Sequence, residues 1–74
     1  MLDTKARQMW HDQYMELAVE SFRRARGYFD NARLMEPEKN EADAYWRSFF
    51  VQEARRYNRC GVYYKRIAKE YVNG

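Results

Sequence analysis

Bulky and small apolar residues recur along this chain with a period of seven, and that rhythm restricts the fold to packed helices. Met15, Phe22 and Phe29 are seven residues apart, and Ala18, Ala25 and Ala32 follow each of them three residues later. In the second half Phe50, Tyr57, Tyr64 and Tyr71 repeat at the same interval, and Ala54, Gly61 and Ala68 follow the first three of these four residues later. Steps of three and four put side chains on one face of a helix, whereas a strand needs alternation by two, which is not sustained anywhere.

The chain's single proline divides the two rhythmic segments, in Glu36-Pro37-Glu38-Lys39-Asn40. Proline disfavours helix at the residue before it and donates no backbone hydrogen bond. Asn40 is a good N-cap for the second segment, with Glu41 and Asp43 placed where acids suit the helix dipole, and Asp3 or Thr4 can cap the first helix. The reading is an all-α chain of one domain, residues 1–74. It forms a long antiparallel two-helix hairpin with helices over about 4–36 and 41–72. The alternative is three helices with a break near Gly61, where glycine would act as a C-cap.

The rhythm runs through Gly27 without a phase shift, so Gly27 is read as helical, at a cost of about 1 kcal/mol relative to alanine. With the bend centred near Glu38-Lys39, residue i lies level with residue 77 − i. Gly27 is then expected beside Phe50, Gly61 beside Met15 and Ala54 beside Phe22, so that bulky rings meet bare backbone and methyl groups.

Seventy-four residues bury only a small core, and Cys60, the one cysteine, leaves no disulfide within the chain. With 18% aromatic residues the chain is not of disordered composition. A helical hairpin does not absorb all the aromatics. Trp10, Tyr14, Leu17 and Tyr28 widen the apolar face of the first segment, and Tyr45, Trp46, Phe49, Tyr63 and Ile67 widen that of the second. Such flanks mark protein interfaces. The expected occupants, in order, are a second copy completing a four-helix bundle, a larger partner, and the last dozen residues folding back.

Arginine outnumbers lysine ten to four, a bias toward planar contact with carboxylates, phosphates and rings. Arg23, Arg24 and Arg26 are expected level with Arg55, Arg56 and Arg59. They form a mid-hairpin belt for an acidic partner or phosphates, or one absorbed by ion pairs with Glu20, Asp30 and Glu53. Tyr57, Tyr63, Tyr64 and Tyr71 interleave with cations as base-stacking residues do, but their helical spacing favours core and interface roles. The net charge of +3 is too small to identify a nucleic-acid binder by itself.

His11 and Cys60 stand alone, no zinc-ligand spacing exists, and the acidic row Asp12, Glu16 and Glu20 sits beside arginines that offset it. No enzyme, cofactor or metal is expected. No basic region followed by an apolar one precedes the helices and no run has the length of a membrane span, so a cytoplasmic location is expected. Ala25, Phe29, Ala32 and Pro37 have the spacing Ala-x3-Phe-x2-Ala-x4-Pro, which resembles the second helix of a tetratricopeptide repeat. The resemblance spans thirteen residues. Met9, Asp12, Gln13 and Glu16 stand where the first helix of such a repeat carries its signature.

The functional expectation is a non-catalytic protein that binds a larger protein or protein–nucleic acid complex and occludes or modulates it. Its size and surface suit an inhibitor or adaptor, such as a phage or mobile-element accessory protein directed at a host defence nuclease. The alternative is an accessory protein that binds nucleic acid directly through the arginine belt.

Overall fold

The computed structural model describes residues 3–73, and only the backbone at residue 73. Two helices account for nearly all of it: α1 (Thr4–Leu34) and α2 (Glu41–Asn73). They pack side by side in opposite directions as a rod with extents of 58 × 13 × 12 Å. α2 runs unbroken through Gly61, so the hairpin holds and the three-helix alternative does not. The last dozen described residues stay within α2 and do not fold back.

Local chemistry explains the ends. Asp3 caps α1, its carboxylate accepting from the Ala6 N–H at 2.7 Å, which satisfies one of the free donors of the first turn. α1 ends at Leu34, two residues before the expected end. Met35 is extended, with ψ 142°, and its N–H donates back to the Ala32 carbonyl at 3.2 Å. Glu36 to Lys39 is a tight turn closed by the Lys39 N–H on the Glu36 carbonyl at 2.9 Å, with Pro37 at the position whose φ the ring presets. Asn40 then caps α2, accepting from the Asp43 N–H at 2.8 Å, while Asp43 accepts from the Glu36 N–H at 2.8 Å. That last bond lays the connection back along the first turn of α2.

The seam is built from small residues. The buried apolar side chains are Ala18, Ala25, Ala32, Ala54 and Ala68, joined by Gly61 and by Ser21, whose hydroxyl donates to its own helix at the Leu17 carbonyl. Among the described residues no large side chain is fully buried. Bulky residues lie half-buried along the edges of this alanine strip.

The interlock of ring and notch is present in a different register from the one expected. Gly61 faces Phe22, not Met15: a Cβ built on Gly61 would come within 2.6–2.8 Å of the Phe22 ring. Gly27 is not beside Phe50. It is exposed, and a Cβ there would meet nothing within 4 Å. Phe50 meets Tyr28 instead, with ring centroids 6.1 Å apart. Phe22 thus meets Gly61 in place of the expected Ala54, seven residues further along α2, while Phe50 stays within one residue of its expected neighbour. The connection laid back along the first turn of α2 places the bend nearer α2 than expected.

Candidate binding surfaces

Aromatic residues gather on one flank of the rod, where both helices contribute. Toward the open end Trp10 stacks near Tyr71, and Tyr14 lies between Tyr71, at 5.8 Å, and Tyr64, at 6.3 Å. Toward the turn Tyr28 stacks on Tyr57 at 5.6 Å with the planes 16° apart, and Trp46 contacts Tyr45, Phe49 and Phe50. Of the predicted interface residues, Trp10, Leu17, Tyr45, Trp46, Phe49 and Tyr63 are exposed, Tyr45 by 66% and Trp46 by 46%. Tyr14 and Tyr28 are half-buried in the seam, their rings stacked against α2. Met9, Val19, Leu34, Val62 and Val72 are also exposed, apolar positions that the periodicity did not single out.

The middle of that flank is cationic. The guanidinium groups of Arg24 and Arg56, one from each helix, lie 5.8 and 5.7 Å from the centroid of the same Tyr57 ring, within cation–π range. Hydrogen bonding to Tyr57 and then to Glu20 holds Arg24 above the ordinary arginine value. Arg24, Gly27, Tyr28, Asn31 and Tyr57 line a shallow notch of about 330 Å³.

The six-arginine belt does not share one face. A helix turns about 100° per residue, which sends Arg26 about 200° away from Arg24. Glu20 takes Arg24 at 3.1 Å and Arg23 at 3.8 Å, and Glu53 takes Arg56 at 3.6 Å. Asp30 pairs with Arg33 rather than Arg26. Arg26, Arg55 and Arg59 have no carboxylate within ion-pair distance among the described residues. The belt is thus half neutralised, and its unneutralised half points elsewhere.

A second surface runs along α2. No carboxylate occurs between Glu53 and Glu70, while Arg55, Arg56, Arg59, Lys65, Arg66 and Lys69 all do. Within this stretch Asn58, Arg59, Val62, Tyr63 and Arg66 line an open concavity of about 350 Å³. Val62 and Tyr63 are exposed there, between two arginines seven residues apart on one side of the helix. The sequence carries the signal for this site as Arg59-x2-Val62-Tyr63-x2-Arg66, but grouping arginines by height along the rod alone divides Arg59 from Arg66 and hides it.

The acidic row does not converge. Asp12 is engaged by Gln8 and His11, and Glu20 by its two arginines. No cluster of three metal-ligating side chains occurs among the described residues, and no described helix is long and apolar enough to cross a membrane. No known protein family, curated protein or solved structure matches the chain.

Proposed function

We propose that this protein acts by binding, covering part of a larger macromolecule in the manner of a non-catalytic inhibitor or adaptor. The observation that carries this reading is the concavity on α2. Arg59 and Arg66 flank Val62 and Tyr63, and neither arginine has a carboxylate partner among the described residues. A pair of guanidinium groups around an apolar patch suits an acidic protein surface with an aliphatic or aromatic centre. The rings supply the desolvated contact, and the cations supply orientation and rate of encounter.

The test is capture with purified protein from the host, comparing the native chain with Arg59→Glu/Arg66→Glu. Both side chains lie outside the helix–helix seam, so helicity should be unchanged. The expected result is an acidic partner retained by the native chain and lost by the variant. Equal retention by both would remove this surface from the mechanism.

A second reading, direct binding of nucleic acid, is favoured by the unneutralised Arg26, Arg55 and Arg59. It expects affinity for DNA or RNA that falls steeply with salt. Absence of any mobility shift at low salt, with single and double strands alike, ends it.

A further inference from the structure

We infer that the aromatic flank is covered by a second copy of the same chain, and that two hairpins lie antiparallel to form a four-helix bundle. The inference stands on the size of the exposed surface and the distribution of charge, and is independent of the partner proposed for the concavity on α2.

Surface area gives the first argument. The hairpin exposes 6016 Å², against about 4,900 Å² expected for a compact monomer of this mass. The excess is comparable with the roughly 800 Å² per partner that a stable interface buries. One side of a rod 58 Å long and 13 Å across has a footprint of about 750 Å², near the area such an interface needs. The chain also lacks any large fully buried side chain of its own among the described residues. A second pair of helices on this flank would turn Trp10, Leu17, Trp46 and Phe49 into a core.

Charge selects the occupant and its direction. The turn end, residues 30–47, carries Asp30, Glu36, Glu38, Glu41 and Asp43 against Arg33, Lys39 and Arg47. The open end carries Lys5, Arg7, Lys65, Arg66 and Lys69 against Asp3, Asp12, Glu16 and Glu70, a smaller excess of opposite sign. An antiparallel pair sets the acidic turn of each copy beside the basic open end of the other, twice, about one two-fold axis. A parallel pair sets like against like. The two exposed aromatic groups match this arrangement. Trp46 and Phe49 near the turn of one copy come to Trp10 and Leu17 near the open end of the other. At the centre Glu20 is shared by Arg23 and Arg24 and Glu53 takes Arg56, so each midpoint keeps a positive charge, a repulsion that is the same for both directions and leaves the choice between them to the ends.

Sedimentation or light scattering reads the mass directly. The chain of 9.1 kDa should run as two chains at micromolar concentration. Trp46→Lys/Phe49→Lys should raise the dimer Kd at least about tenfold, as loss of central anchors does. Val19→Lys, on the other flank, should leave it unchanged. Glu38→Gln/Glu41→Gln should weaken an antiparallel dimer at low salt and strengthen a parallel one, so its sign decides direction. A native chain that stays helical at the mass of one copy overturns it, as does a dimer indifferent to Trp46→Lys/Phe49→Lys. A monomeric native chain that still captures an acidic partner through Arg59 and Arg66 would overturn the dimer while leaving the proposed function standing.

Discussion

Gly27 and Gly61 both lie inside a long helix, yet they do opposite things: Gly61 belongs to the series Ala54, Gly61, Ala68, whereas Gly27 stands two residues past Ala25, about 200° round α1 from the alanine strip. Gly61 is buried, with the Phe22 ring lying where a side chain would be. Gly27 is exposed, with open space around it. The first glycine is required by the approach of the other helix. The second weakens α1 without any return from the packing between helices, and opens the notch beside Arg24 and Tyr28. A glycine in a helical repeat therefore indicates a close approach only when something approaches it.

Substitutions sharpen or break this contrast, provided that unfolding is measured at one chain concentration, because assembly adds to apparent stability. Gly61→Leu should have the largest effect. The side chain has no space beside Phe22, and a loss of about 3 kcal/mol or an altered register is expected in thermal or urea unfolding. Native stability in that variant would show the seam to be loose at the point where it looks tightest. Gly61→Ala should cost less: overpacking of about 2 kcal/mol, offset by about 1 kcal/mol of improved helix propensity. Its penalty should shrink when combined with Phe22→Leu, and strict additivity in that double-mutant cycle would contradict the contact.

Gly27→Ala should go the other way and raise stability by about 1 kcal/mol. A loss there would mean that something not present in the single hairpin lies against Gly27, and would move the notch into an interface. The smallest effect is expected at Ser21→Ala. The hydroxyl is already bonded within its own helix, and a methyl would extend the alanine strip, so the change should stay within about 0.5 kcal/mol. A larger loss would show that Ser21 bonds across the seam.

The same contrast separates the legible from the illegible parts of the binding surfaces. Trp10, Leu17, Trp46 and Phe49 were readable as flank residues because helical periodicity fixes which side chains share a face. Tyr14 and Tyr28 were read the same way, yet half of each is inside the seam, because their rings reach across to Tyr64, Tyr71, Phe50 and Tyr57. Reach across a seam depends on the partner helix, which periodicity does not describe. The arginines show the converse. Their common height followed from counting along the chain, but Arg24 and Arg26 diverge because two residues are more than half a helical turn. Which carboxylates neutralise them, Glu20 but not Asp30, depended on individual rotamers.

By itself the sequence determined two helices, their caps and the alanine strip between them, because caps and three-to-four spacing act within a few residues. Only the tertiary structure decided the register. A pattern that repeats every seven residues matches itself after a slide of seven, and Phe22 sits one such step from its expected partner, on Gly61 in place of Ala54, while Phe50 meets Tyr28, one residue from the expected Gly27. The observed slide goes with a connection in which the Glu36 N–H bonds the Asp43 carboxylate and the chain lies back along α2. Periodicity describes neither the seating of Phe22 on Gly61 nor the open space at Gly27, because both depend on where the other helix lies.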